Sequence, residues 1–500
     1  MASTFFGLTI ATNGVYAAQA ALNTTAHNIS NENTKGYSRQ QAVLQASEAM
    51  RTYATYGMVG TGVEVTTVKQ IRDTYYDIKN WDNASKLADA SVKNNYNLQM
   101  EDFFNETNVD GFTAEYDNFF NALEDLKNNP ADTVVRTEVL NYASSMADYL
   151  NHIETTYKSL QEELNIEVSN KVDQINVIND QIAVLTKQIN TIELTGQNAN
   201  DLRDKRNLLI DELSSIIPID ITEEEVGNGK TNFLVQSSGY TLVENYDAHS
   251  LVVVSRENKL NTSDTPGLYD VYFYYDEISS VGTKFDVQNA VTTGELKALF
   301  DLRDGNNGVV DTSNPYSVGV SYKGVPHYLA RLDDFITTFA QEFNAIHSTG
   351  YNLYGDSTSG EDFFSVSAAG VLTVNEDYIK DPALMAASKN PIQDGVEDSS
   401  LADELYSLKD RKIFNNTDAK DYLQSVVTEI AMNTQKSSTA LTNYTNLGEA
   451  IQNQRFAISG VDADEEAMNL VKFQEAYNLS AKMIQVMSEI YDKLVNETGV

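Results

Sequence analysis

Cysteine is absent from the 500 residues, so disulfide frameworks, thiolate metal sites and cysteine nucleophiles are all excluded. Positive charge is scarce. Against 72 Asp and Glu stand 35 Lys and Arg, a formal net charge of −37, and repulsion over such a surface argues against a nucleic-acid ligand. No apolar run approaches the roughly 18 residues that a bilayer-spanning helix needs, so no membrane is expected as a partner. The start, MASTFFGLTIATNG, has neither a basic n-region nor a continuous apolar segment, which predicts that any secretion proceeds without a cleaved signal peptide. The five histidines, His27, His152, His249, His327 and His347, form no HExxH and no close pair at ligand spacing.

Fragments that suggest chemistry fail on inspection. VGNGKT ends like a phosphate loop, but Glu224 stands where the first glycine belongs, so it reads as a hairpin turn. DLRDGNNG begins like a calcium loop, yet Pro315 occupies the twelfth position counted from Asp304. No GxSxG elbow occurs. The clusters Glu223 to Glu225 and Asp462 to Glu466 read as solvated faces and helix-start charges. No catalytic, cofactor-binding or metal-ligating residue is therefore expected.

What the sequence does hold is periodicity at both ends. Leu8, Ala11, Val15, Ala18, Leu22, Thr25 and Ile29 recur at alternating gaps of three and four, the seam of a helix that packs on another helix. Leu470, Phe473, Tyr477, Ser480, Ile484, Met487, Tyr491 and Leu494 repeat the pattern near the other end. The ends are thus expected to come together. Their small and hydroxyl residues bury little area, so the pair should need neighbouring copies to fold fully.

Between the ends, residues 38 to 72 alternate polar with β-branched side chains and read as extended. Helical spacing runs through Tyr116, Phe119, Phe120, Leu123 and Leu126, and again after Pro130 from Val135 to Ile153. Heptads follow. One row is Val168, Ile175, Ile182 and Ile189; the other is Leu164, Lys171, Ile178, Leu185 and Ile192. After Gly196 a helix over 201–217 stops at Pro218. Short strands are expected at 232–236, 240–244, 251–254 and 269–275, with helices again over 329–346 and from Asp418 onward.

The predicted architecture is α+β and mainly α: an elongated coiled-coil rod formed by both halves of the chain, with an inserted β domain and a smaller second insertion. The boundaries are 1–37 with 460–500 for a terminal helical domain, 38–218 with 294–350 and 413–459 for the rod, 219–293 for the β domain, and 351–412 for the second insertion.

The stretches STFFGLTIATNGVYAAQAALNTTAHNISNENTKGYSRQ and ISGVDADEEAMNLVKFQEAYNLSAKMI resemble the two ends of the FlgK family of flagellar hook-associated proteins. GELKALFDLRDG, FNAIHSTGYNLYG and DPALMAAS are similar to internal landmarks of that family, in its order. The resemblance assigns Asn28, Asn31, Asn33, Gly36, Tyr37, Ser38, Arg39 and Gln40 to a family motif. Lys35 departs from the proline common before the Gly-Tyr pair, and Leu479 stands where alanine is more usual. The resemblance implies a non-enzymatic subunit outside the cell at the hook–filament junction. It implies export by the flagellar type III system and polymerisation with copies of itself. It further implies contact with the hook protein and the second junction protein, and an export chaperone on the carboxy-terminal helix. A flagellin or the second junction protein would share the terminal seams; a secreted glycoside hydrolase would instead place a carboxylate pair in 219–293.

Overall fold

The computed structural model describes residues 6–51, 57–104, 111–227, 230–274, 282–367, 370–391 and 398–497. Helix α1 (Phe6–Ser30) leads into a hairpin arm. In the arm, β1 (Gln40–Ala46), β2 (Met50–Arg51), β3 (Met58–Val59) and β4 (Val63–Gln70) pair antiparallel, β1 with β4 and β2 with β3. Helices α2 (Thr74–Asp102), α3 (Phe112–Asn128), α4 (Thr133–Glu193) and α5 (Asn200–Ile216) follow. An antiparallel sheet comes next, with β5 (Asp220–Gly227), β6 (Lys230–Ser237), β7 (Tyr240–Glu244) and β8 (Asp247–Ala248) side by side. Strands β9 (Leu251–Ser255) and β10 (Tyr269–Phe273) form a separate pair.

The chain then returns through α6 (Glu295–Asp304) and α7 (Val325–His347). A small segment holds β11 (Phe364–Val366), β12 (Leu372–Val374), α8 (Glu376–Lys380) and α9 (Ser400–Ser407). Helices α10 (Ala419–Ser459) and α11 (Ala463–Asn496) close the fold, which is mainly α with β insertions. The expected strand end at Tyr275, the turn tip Asn228-Gly229 and residues 392–395 of KNPIQDG lie outside the described residues.

Helix α4, 61 residues long, is the mast of the molecule. It contains no glycine or proline, Asp132 caps it by accepting from Val134 N at 2.8 Å, and Gly196 at φ +83° turns the chain out. The expected row Val168, Ile175, Ile182 and Ile189 is fully buried. The second row holds at Leu164 and Ile178, and Lys171 reaches Glu295 at 2.6 Å. It fails toward the end, where Ile192 is exposed and burial passes to Val172, Asn179, Thr186 and Glu193. Those polar members are mostly satisfied: Thr186 donates to Ile182 O at 2.8 Å, and Arg203 donates to both Glu193 oxygens at 2.7 Å. A row in which three of four members are polar is invisible to a search for apolar spacing.

The core beside α4 is aromatic. Tyr116, Phe119 and Phe120 of α3 face Phe335, Phe339 and Phe343 of α7, all buried, and Phe339 sits 5.7 to 6.4 Å from six neighbouring rings. Helix α2 was not anticipated from its sequence. Its buried positions include Asn80, Asn83, Ser85 and Asn97, and it lies along α10, so its inward face is a polar one.

The strands hang on the helices by a repeated device. Asn151 of α4 donates to Leu372 O and accepts from Leu372 N, at 2.8 and 2.9 Å. Asn176 does the same for Leu251, and Asn190 for Thr231. Asn344 of α7 treats Phe364 likewise. Each amide supplies the donor and acceptor that a neighbouring strand would otherwise provide, so a short sheet can end against a helix without orphaned backbone groups.

Candidate functional site: the terminal helix pair and its latch

Helix α1 presents a row of small residues at seven-residue spacing: Gly7, Gly14, Ala21 and Asn28, interleaved with Ala11, Ala18 and Thr25. A β-carbon at Gly7 would lie 2.7 Å from Met487, and one at Gly14 would lie 2.7 Å from Ser480. Asn28 meets Glu466 at 3.2 Å. These contacts share one register, with α1 running antiparallel along α11. Backbone approach this close is possible only because the α1 row lacks bulk.

The structure places the expected seam residues in three groups. Ala11, Ala18 and Thr25 are buried in the helix pair, as their small size requires. Leu8, Val15 and Leu22 sit one position off the closest approach and are half-buried, while Ile29 is exposed. On α11, Leu470, Phe473, Ile484, Met487 and Tyr491 are half-buried; Tyr477 and Leu494 are exposed. Ala11, Ala18 and Thr25 thus stand where expected, while the other half of the seam is shifted by one residue, from Leu8, Val15, Leu22 and Ile29 to Gly7, Gly14, Ala21 and Asn28. A further apolar row on α11 faces solvent: Met468, Val471, Leu479, Met483, Val486 and Ile490, with Met468 and Leu479 both 67% exposed.

At the latch, where α1 ends and α11 begins, the Asn-rich turn folds back. Asn28 donates to Gln40 O at 2.8 Å and accepts from Gln40 N at 2.9 Å, the same amide device that anchors the other strands. Its oxygen also accepts from Tyr37 OH at 2.7 Å. Arg39 donates Nε to Glu466 at 2.7 Å and pairs with Glu465 at 3.0 Å, while its backbone N donates to Ser459 O. Ser38 N donates to Asp204 at 3.0 Å, and Gln40 Nε2 donates to Asp201 at 2.8 Å, both on α5. Gly36 adopts φ +82° against Leu208, a conformation that glycine alone takes without strain. Asn31 donates to His27 O at 3.0 Å, Thr34 donates to Asn31, and Asn33 is exposed.

The electrostatics follow from burial. The Tyr37 hydroxyl is held well above its usual range by desolvation and then by Asp201, Asp204 and Glu466. Burial also raises the Asp204 carboxyl, against the hydrogen bonds from Ser38. For Arg39, burial works against the charge, and the hydrogen bonds to Glu465 and Glu466 overcome it.

Two acidic residues correct the sequence reading. Glu466 is not a solvated helix-start charge: it is 2% exposed and joins Arg39 to Asn28. Glu223 pairs with Arg203 and Arg206 at 3.0 and 2.8 Å. Sequence reasoning also missed Gly7, Gly14 and Ala21, although their exact spacing of seven was the available signal. Asp201, Asp204 and Asn200 carried no local signal.

Asp304 of DLRDG is fully buried and held below the usual carboxylate range; desolvation opposes this, but Arg303 and Arg256 outweigh it. It is a structural ion pair rather than a cation loop. Among the described residues no group of three His, Asp or Glu is placed to hold a metal, and no helix is long and apolar enough to cross a membrane.

Fold and latch together define a mainly helical protein with β insertions, whose two ends are paired and tied to the rod by one polar node. The sequence model described as the FlgK helical domain of flagellar hook-associated proteins matches residues 98–364, and one described as the C-terminal region of basal-body rod FlgEFG proteins matches residues 452–497. The chain belongs to the FlgK family of flagellar hook-associated proteins. It is 30% identical to flagellar hook-associated protein 1 of Bacillus subtilis strain 168, covering 100% of this chain and 99% of that one. To the protein of the same name from Escherichia coli K12 it is 25% identical, over 97% and 98%. The flagellar hook junction protein FlgK from Burkholderia pseudomallei shares the fold, with a TM-score of 0.59 at 15% identity over 76% of this chain and 100% of that one.

Proposed function

We propose that this chain is a structural subunit of the flagellar hook–filament junction. It is exported unfolded by the type III route and polymerises with copies of itself through α1 and α11, between the hook protein and the second junction protein. The observation that carries this reading is the uncovered apolar row of α11 beside a seam of small residues, since such a surface is stable only when other helices cover it. Before assembly, an export chaperone occupies the same helix. In this reading 1–37 with 460–500 is the assembly domain, the rod is 38–218 with 294–350 and 413–459, and the insertions at 219–293 and 351–412 face outward.

The test is limited proteolysis of the monomer and of the polymer. Ends trimmed to about residue 30 and from about residue 460 in the monomer, but protected in the polymer, are expected. Equal protection in both states would sink the reading, because the pair would then be complete within one chain. In cells lacking the chain, hooks without filaments are the expected phenotype.

A further inference from the structure

Helix α10 has a stretch without acid. From Ala431 to Gly448 its only charged residue is Lys436, in a chain whose formal net charge is −37. On the outer face of this stretch Met432 and Leu447 are 67% and 49% exposed, and Lys436 is exposed with no ion pair among the described residues. Between them Thr439, Thr442 and Thr445 donate their hydroxyls to carbonyls one turn back, at 2.9, 3.0 and 2.8 Å, so those groups are already satisfied within the helix.

A second unpartnered face lies on α4. Ile166, Val177 and Val184 are each more than half exposed, and between the two valines stands Asp180, exposed and also without an ion pair among the described residues. Asp173 and Lys187 lie one heptad to either side of it, both exposed. Surfaces of so acidic a chain can approach each other only where charge is absent or opposite. The two faces meet that condition, since one offers a lone cation among methyl groups and the other an aspartate between valines.

We infer that the outer face of α10 in one copy packs along the outer face of α4 in the next, with Lys436 paired to Asp180. Within one chain the two helices run parallel, because α2 is antiparallel to both: Asn83 meets Tyr444 and Asn97 meets Ser437, while Tyr96 meets Glu163 and Met100 meets Tyr157. Copies set side by side in one orientation therefore present the helices in parallel. With Lys436 on Asp180, Met432 then falls beside Val177 and Leu447 beside Ile192. The same bonds put Ser437 level with Glu163 in its own chain, so Asp180 lies about 25 Å further along α4 at about 1.5 Å per residue. Neighbours are offset by that distance, and a contact between unlike patches with such an offset builds a helix rather than a flat ring. This rests on the self-assembly reading and adds to it a second contact, on the rod rather than on the terminal helices.

The absence of native cysteine makes the test direct. The full-length double variant Lys436→Cys/Asp180→Cys is polymerised under reducing conditions, checked by sedimentation beside the wild-type chain, then freed of reductant and treated with a short bismaleimide. Covalent ladders from the polymer, absent from the treated monomer, are expected. Polymer without ladders overturns the α10–α4 contact alone, and a link within the monomer overturns it as well, because the two faces then meet inside one chain. A wild-type chain that does not polymerise overturns the self-assembly reading and this contact together. Should the cysteine variant alone fail to polymerise, charge exchange decides. Lys436→Asp should weaken polymerisation about tenfold and Lys436→Asp/Asp180→Lys should restore it; no loss in the first, or no rescue in the second, counts against the contact.

Discussion

The aromatic middle and the terminal pair use one spacing for opposite ends. In α7, Leu329, Leu332, Ile336, Phe339, Phe343 and Ile346 alternate by three and four and are all buried. In α1 the same alternation is filled by Gly, Ala and Thr, and in α11 much of the apolar surface stays exposed. Periodicity therefore fixes which side of a helix packs, and side-chain volume decides whether the packing suffices within one chain. Large rings bury enough area to stand alone; a glycine-alanine seam brings backbones close but gains little from water.

The widest separation between the two regions should appear on truncation. Phe339→Ala removes a ring packed on six others and is expected to cost about 3–5 kcal/mol in a denaturant titration. Ile484→Ala in the half-exposed seam should cost the monomer about 1 kcal/mol and act chiefly on polymerisation. Similar costs in the monomer would erase the distinction.

The latch tests whether the two regions are mechanically joined. Glu466→Ala leaves Arg39 with Glu465 only and removes the acceptor facing Asn28 Nδ2. About 2 kcal/mol is expected, seen as faster hydrogen exchange in α1 and around Gln40 while the amides of α7 stay protected. Uniform loss of protection across both regions would mean that they unfold as one unit. A smaller effect is expected at the turn itself. Gly36→Ala must hold a side chain at φ +82° with its β-carbon 3.3 Å from Leu208, costing about 1–2 kcal/mol by thermal melting.

These contrasts also show which parts were legible in the sequence. Rows of large apolar residues were read correctly, because burial of Val168, Ile175, Ile182 and Ile189 is a statement about area, which residue type reports. Polar packing was not. Helix α2 buries Asn80 and Asn97, the end of α4 buries Glu193, and Glu466 lies 2% exposed, each through a partner supplied by another segment, while Asn179 is buried without a side-chain hydrogen bond among the described residues. The asparagine anchors escaped for the same reason: Asn176 and Leu251 are 75 residues apart, and nothing local distinguishes that amide from an exposed one. At α1 the row Ala11, Ala18 and Thr25 was placed correctly and the row of Leu8, Val15 and Leu22 was one residue off, since leucines outweigh glycines in any apolar count although the glycines permit the contact.

The smallest effect concerns a carboxyl between the regions of clear function. Asp333 of α7 lies in a cleft with Glu154 of α4 and Gly370, and burial, then repulsion from Glu154, pushes its carboxyl up to about 6 from 3.8, against the pull of Lys158. Because the folded state holds this proton more tightly than the unfolded chain does, stability falls as pH rises from about 4 to 6. The whole penalty is then present at neutral pH. Asp333→Asn should therefore stabilise at pH 7 by about 1 kcal/mol after allowance for solvent screening, and leave stability near pH 3 unchanged. The measurement is the denaturant midpoint of both chains at the two pH values. A gain at neither would show that Lys158 compensates the pair, and a gain at both would assign the benefit to shape rather than charge, leaving the rod core insensitive to the acid balance that governs the rest of the surface.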